Sequence, residues 1–204
     1  MKKNVWMAVQ ELDRLVFSTR EMAALTGSGP ASVSQQLARL EEKGVVTRVL
    51  RGVWALTGDK RFSPFLLVPF LGPSQQFYVS FLSALHMHGM ISQIPQTITV
   101  ASTAHGRIIK TPVATFVIHK VEPGFFNGFE WTPWMKFPLA TPEKALMDCL
   151  YISCRRGKKY TAFPELTYPK HFSQTRARHL CQTIGDKRLK AAILKKLNIL
   201  LTRM

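Results

Sequence analysis

The segment TGSGP, residues 26–30, constrains the fold more than any other feature of this 204-residue chain. Upstream of it, Ser18 or Thr19 can cap the start of a helix, and Glu21 is placed to complete a capping box. The glycines end this helix, and Pro30 favours a new one because its ring presets the backbone of a first helical position. The sequence therefore predicts two helices joined by a tight turn.

The second of these helices combines an apolar stripe with an open polar face. Val33, Leu37 and Leu40 recur at the three-to-four spacing that buries one side of a helix, and Gly44 is a C-terminal cap. Polar side chains on the open face can hydrogen-bond base edges or phosphates, which makes this a candidate recognition helix. These residues are Ser32, Gln35, Gln36 and Arg39.

Two short β-like runs follow, residues 45–50 and 53–56, and an Arg-Gly pair joins them. They predict a hairpin with a basic tip, so residues 18–56 as a whole are typical of a winged helix-turn-helix. Arg48 and Arg51 lie on this hairpin, and we predict that they contact DNA. The alternative is a generic protein-interaction module, since glycine-linked helix pairs also occur in such modules.

The length of the chain leaves room for a second domain after the first, and we place the domains at residues 1–57 and 58–204. The predicted fold class is α+β, an N-terminal winged helix-turn-helix followed by a mixed α+β domain with a basic helical C-terminal region. The predicted elements of the second domain are a helix over residues 77–88, strands over 97–102 and 113–121 that pair antiparallel across a turn at 104–110, and a helix from Pro142.

Positive charge is concentrated in the last quarter of the chain. Of a net charge of +16, residues 155–204 carry most, with 13 lysines and arginines against 2 acidic residues. Leu189, Ile193, Leu197 and Leu200 recur at helical spacing there, so the lysines between them are expected to point outward. We predict a second basic surface for nucleic acid or an acidic partner, and a solvated helix face is the alternative. Its residues are Arg155, Arg156, Lys158, Lys159, Arg188, Lys190, Lys195 and Lys196.

Several function classes are disfavoured by what the sequence lacks. It has no GxxxxGK[ST], HExxH or GxSxG motif, and its 12 acidic residues offer no two-metal arrangement. Its three cysteines lack the paired spacing of a zinc site, and no apolar run reaches the ~18 residues of a membrane span. We therefore expect no catalytic residues, metal, cofactor or membrane partner, and a cytoplasmic location.

Three runs between residues 78 and 151 carry a family resemblance. They are YVSFLSALHMHGMISQIPQTITVAS, FFNGF and ATPEKALMDCLY. Together they resemble the second domain of the AbiEi antitoxin family of type IV toxin-antitoxin systems, in which a winged helix precedes this domain. The resemblance implies a repressor that binds inverted repeats in double-stranded DNA upstream of its own operon. It also implies an antitoxin that counteracts a nucleotidyltransferase toxin encoded beside it and need not form a stable complex with that toxin. The matching residues are Tyr78, Ser80, Ser83, Ala84, Leu85, His88, Gly89, Gln93, Pro95, Gly128, Thr141, Glu143, Lys144, Ala145, Leu146 and Asp148.

The chemistry of these matching residues favours structural roles. Glu143 can bond free N–H groups in the first turn of its helix, and Lys144 and Asp148 are spaced for an i,i+4 ion pair. His86 and His88 diverge by about 200° on a helix, so they are not expected to share a metal ion. His88 is expected to bond a carbonyl of its own helix or of a neighbouring strand.

Two other functions stay open. One is a ligand-responsive winged-helix transcriptional regulator that binds a small molecule among Phe125, Phe126, Trp131 and Trp134, for which ordinary core packing is the alternative. The other is an RNA-associated protein that uses the basic C-terminal region.

Overall fold

The computed structural model of the chain describes residues 4–72, 74–131, 135–156 and 165–202. Helices and strands are both present, which confirms the predicted α+β class. The chain divides into two compact units. Unit 1 is Met1–Phe70 with Thr111–Val113, and unit 2 is Leu71–Lys110 with Ala114–Met204.

Unit 1 combines three helices with a three-stranded sheet of order β1-β3-β2, in which neighbouring strands are antiparallel. A short 3-10 helix, Pro64–Phe70, follows the sheet. The elements of the unit are α1 (Val5–Glu11), β1 (Val16–Ser18), α2 (Thr19–Thr26), α3 (Pro30–Glu42), β2 (Thr47–Leu50) and β3 (Val53–Ala55).

Local capping signals set the ends of α2 and α3. Ser18 Oγ accepts a hydrogen bond of 3.1 Å from the Glu21 N–H, and Glu21 Oε2 accepts one of 2.7 Å from the Ser18 N–H. This is the predicted capping box. Gly27 follows α2 with a φ of +63°, a left-handed conformation that glycine adopts without strain, and Pro30 is the first residue of α3. Both predicted helices and the turn between them are confirmed.

One apolar core joins the helices and the sheet of unit 1. Val33 and Leu37 of α3 are fully buried in it together with Phe17 and Trp54. Leu40 was expected to share this stripe, but it is only half-buried at the edge of the core, since it lies in the last turn of α3. Val33 and Leu37 therefore determine which side of α3 faces the core.

Unit 2 is built on a six-stranded mixed sheet of order β6-β7-β5-β4-β9-β8. Its strands are β4 (Tyr78–Val79), β5 (Ile98–Ser102), β6 (Arg107–Lys110), β7 (Thr115–Lys120), β8 (Phe129–Trp131) and β9 (Pro138–Ala140). Its helices are α4 (Phe81–Met87), α5 (Pro142–Arg156), α6 (Gln174–Gln182) and α7 (Lys187–Leu201), with a 3-10 turn at Pro123–Phe125.

The strands predicted over residues 97–102 and 113–121 form, as β5 and β7, but their predicted antiparallel pairing is wrong. Ile98 of β5 pairs with Phe116 of β7, and the two strands are parallel. The segment between them contains β6, which makes the antiparallel hairpin with β7. Because the chain reverses into β6 and again into β7, β5 and β7 run the same way.

The helix predicted over residues 77–88 is correct only in its second half. Tyr78 and Val79 form β4, in register with Ala101 and Val100 of β5, and α4 begins at Phe81. Both β4 side chains are fully buried at the centre of the sheet. Burial on both faces of the sheet here outweighs a helical periodicity that continues through the segment.

A buried ion pair lies in the core of unit 2. Lys144 Nζ donates to Asp148 Oδ1 at 2.6 Å and to the carbonyl oxygen of Phe125 at 2.7 Å. Tyr78 Oη and Ser80 Oγ donate to Asp148 Oδ2 at 3.0 and 2.6 Å. The predicted i,i+4 pair is confirmed, and neither of its side chains is exposed to solvent.

Two other residues of the resemblance also bond inside unit 2. Glu143 does not bond its own helix as predicted but accepts a 2.7 Å hydrogen bond from the Ser173 N–H, which holds the start of α6 against α5. His88 Nε2 lies 2.7 Å from the carbonyl oxygen of Ala140 in β9, which confirms a bond to a neighbouring strand.

The described part of the chain contains no group of three or more His, Cys, Asp or Glu side chains arranged to hold a metal ion. Across the same residues, none of the helices combines the length and apolar character that a membrane crossing requires.

Candidate nucleic-acid interface

The polar residues predicted on α3 share one face of that helix. Ser32, Gln35, Gln36 and Arg39 are spaced i, i+3, i+4 and i+7, and all except the half-buried Gln36 are exposed. Gln36 Nε2 lies 3.4 Å from Ser32 Oγ, a weak contact along this face. Because α3 buries Val33 and Leu37 in the core, the four polar side chains point away from it.

The hairpin of β2 and β3 carries the two predicted arginines. Arg48 and Arg51 are exposed, and the Arg48 guanidinium lies 5.9 Å from the centre of the Trp54 ring on the adjacent strand. The register shifts between Arg48 and Leu50, which marks a bulge in β2. A bulge bends and twists a strand locally, so it redirects the end of the hairpin.

Backbone and side-chain bonds fix this hairpin to α2 and α3. The Arg48 N–H donates to Glu41 Oε1 of α3 at 2.6 Å. The Thr19 N–H donates to the Gly52 carbonyl oxygen at 2.8 Å, and Trp54 Nε1 donates to Thr19 Oγ1 at 2.9 Å. The sequence pattern did not point to Glu41 or Trp54, because each bonds a residue of another element. Glu41 bonds Arg48 of β2, and Trp54 bonds Thr19 of α2.

Arg39 and Arg51 have guanidinium N–H groups that are available to a ligand. Across the described residues, no ion pair or side-chain hydrogen bond engages the guanidinium groups of Arg39 or Arg51. A guanidinium has five N–H donors, and exposed ones are available for phosphates or base edges. Unit 1 thus presents an open polar helix face and a basic hairpin that is held to the same helix.

Some side chains of the predicted basic surface form hydrogen bonds within unit 2. Arg155, Arg188 and Lys195 are exposed. Lys190 Nζ donates to Gln182 Oε1 at 3.1 Å, and Lys196 Nζ donates to Ser153 Oγ at 2.5 Å. Lys196 therefore turns toward α5 rather than outward. The side chain of Arg156 and all of Lys158 and Lys159 lie outside the described residues.

Two of the four aromatic residues predicted as a ligand site, Phe125 and Phe126, are packed against other aromatic rings. Phe125 is buried and stacks on Tyr151 with ring centres 4.9 Å apart, and Phe126 lies 5.0 Å from the Tyr78 ring. Trp131 is exposed on β8, and Trp134 lies outside the described residues. Core packing accounts for Phe125 and Phe126.

Comparison with known proteins finds no matching family model and no matching curated protein.

Proposed function

We propose that unit 1 is a winged helix-turn-helix and that the protein is a non-catalytic, double-stranded-DNA-binding transcriptional repressor. The observation that carries the proposal is the exposed polar face of α3 beside a basic hairpin bonded to α3 through Glu41. On that face, the Arg39 guanidinium makes no hydrogen bond or ion pair with any described residue. In this proposal α3 lies in the major groove, and Arg51 contacts the backbone from the hairpin.

The side chains on α3 suit base readout. Arginine can bind guanine with two parallel hydrogen bonds, and glutamine can bind adenine in the same way, so Arg39 and Gln35 supply both kinds of contact. The thirteen residues of α3 span about 20 Å, enough to follow one face of a groove. Gly29 caps α3 without a side-chain bond, which leaves N–H groups of the first turn for a phosphate.

The proposal is tested by fluorescence anisotropy with a duplex that covers the region upstream of the gene. Replacing Gln35 and Arg39 together with alanine should weaken binding by about 2–5 kcal/mol, because two base contacts are lost. Lys60→Ala is the matched control, since Lys60 is an exposed cation of unit 1 outside α3 and the hairpin. Equal affinity of the double variant and the control, with unchanged circular dichroism, would exclude α3 as the reading helix.

The proposal extends to an antitoxin role in a type IV toxin-antitoxin system. What supports it is the resemblance of residues 78–151 to the AbiEi family, with the autorepression at inverted repeats and the nucleotidyltransferase toxin that this resemblance implies. Co-expression with the adjacent gene tests it. Growth should be rescued by the full chain without a stable complex, and failure of rescue alongside normal DNA binding would remove the antitoxin role alone.

A further inference from the structure

A cavity of about 440 Å³ lies in unit 2 between α5 and the first turns of α7. Two cations and two anions line it, Arg155, Arg188, Glu122 and Asp186, next to Tyr151. Its volume falls in the range of small-molecule sites, about 300–1,000 Å³. All of its lining residues belong to unit 2, whereas the α3 face proposed to bind DNA belongs to unit 1.

Two arginines, Arg155 and Arg188, line this cavity and have guanidinium donors that no described residue engages. Arg155 Nη1 donates to the Tyr151 hydroxyl at 3.0 Å, and this contact, with the guanidinium 5.7 Å from the Tyr151 ring centre, orients the side chain. No acceptor engages its other nitrogens within the described part of the chain, and the same is true of the whole Arg188 guanidinium. Paired guanidiniums are a strong arrangement for binding a phosphate group, since each can make two parallel hydrogen bonds.

Each of the two carboxylates bonds the described residues through one oxygen. Glu122 Oε1 accepts from the Gly185 N–H at 3.1 Å, and Asp186 Oδ1 accepts from the backbone N–H groups of residues 188 and 189 at 2.8 and 3.1 Å. These bonds fix the turn before α7. Among the described residues, no donor bonds Glu122 Oε2 or Asp186 Oδ2, which leaves both as acceptors for hydroxyl groups. Carboxylates in nucleotide sites bind sugar hydroxyls in this way.

We propose that this cavity binds a small phosphorylated sugar, with the phosphate on Arg155 and Arg188 and the sugar hydroxyls on Glu122 and Asp186. An apolar ligand would desolvate four charged groups without compensation. Phosphate alone would meet two carboxylates that it cannot satisfy, and a neutral sugar would leave both guanidiniums unpaired. The proposal stands independently of DNA binding by unit 1.

Isothermal titration of the full chain with ribose 5-phosphate tests the proposal, with ribose and inorganic phosphate as comparison ligands. We expect saturable one-to-one binding of ribose 5-phosphate and affinities for the other two that are weaker by about tenfold or more, because each lacks half of the contacts. Absence of saturable binding at up to about 10 mM ribose 5-phosphate would overturn the proposal. Equal affinity for inorganic phosphate would also overturn it.

Matched variants locate the binding. Arg188→Gln should weaken ribose 5-phosphate binding by about tenfold or more, whereas Lys187→Gln removes the same charge from the adjacent exposed position and should leave binding unchanged. Glu122→Gln should weaken binding of ribose 5-phosphate but not of inorganic phosphate. Equal losses in Arg188→Gln and Lys187→Gln would show a general charge effect and contradict the assignment of the cavity.

Discussion

Removing one member of the buried ion pair between Lys144 and Asp148 should leave an unpaired charge in the core of unit 2, so the two single replacements together should cost more stability than the double replacement. Burial raises the pKa of Asp148 and lowers the pKa of Lys144, and the contact between the two groups opposes both shifts. Each charge is therefore tolerated in the core only because the other is present. Two hydroxyl groups, those of Tyr78 and Ser80, complete the hydrogen bonding of the carboxylate.

The magnitudes follow from what each variant leaves unpaired. Lys144→Met leaves a buried carboxylate and Asp148→Leu leaves a buried ammonium, so each should lower the free energy of unfolding by about 3–5 kcal/mol. The double variant removes both charges but leaves the Tyr78 and Ser80 hydroxyls without an acceptor and the Phe125 carbonyl without a donor, at about 1–3 kcal/mol each. The single variants lose part of the same hydrogen bonding and carry an unpaired charge in addition. Because only the single variants leave a buried charge unpaired, the double variant should cost less than the sum of the two by a coupling energy of about 1–3 kcal/mol.

Urea unfolding of the wild type, the two single variants and the double variant, followed by far-ultraviolet circular dichroism, measures this coupling energy. Arg61→Met is the control, because it breaks an exposed ion pair with Asp59 and should change stability little. If the losses of unfolding free energy in the single variants add up to that of the double variant within about 0.5 kcal/mol, the two buried charges do not stabilise each other.

Three further outcomes are expected. Leu37→Ala should lower the free energy of unfolding by about 2–5 kcal/mol in urea titrations, against about 0.5 kcal/mol or less for the exposed Leu25→Ala, and equal midpoints would show that α3 is rotated differently. Burial raises the pKa of Glu21, but hydrogen bonds from the Ser18 N–H and from Arg14 together lower it by more, so the net pKa lies below 4.5. The stability that the Glu21 carboxylate contributes is present above pH 4.5 and is lost as the pH falls through the lower pKa of the folded state. Glu21→Gln should therefore flatten the acid side of a plot of melting temperature against pH. An unchanged plot would argue against the capping box as the source of this stability. If Lys195 contacts a phosphate, Lys195→Gln should make the slope of log affinity against log salt shallower by about 0.9 without changing the preferred sequence, and an identical slope would exclude that contact.

The helices of unit 1 could be predicted because their signals are local. The capping box of Ser18 and Glu21, the left-handed Gly27 and the first-position Pro30 each act within one turn of the residues they affect. The same holds for the polar face of α3, since helical spacing alone separates Gln35 and Arg39 from Val33 and Leu37. β1 was not predicted, because three residues are too few to show an alternating pattern.

The arrangement of unit 2 depends on pairings that no local pattern encodes. β5 and β7 have the β-branched composition of strands, but their parallel direction follows from β6, a short strand within an expected turn. The i,i+4 spacing of Lys144 and Asp148 predicted their contact. It did not predict their burial. Tyr78 and Ser80, which bond Asp148 in the core, lie 70 and 68 residues before it in the sequence.

The central claim is that α3 reads a DNA sequence. Its most direct measurement is the affinity of the wild-type chain for a duplex selected from a random pool, compared with a scrambled duplex of the same composition and salt concentration. We predict a preference of about a thousandfold or more for the selected duplex at physiological salt, and a preference about tenfold or more smaller in Arg39→Ala. A selection that yields no shared sequence, or equal affinity for the selected and scrambled duplexes, would contradict the claim.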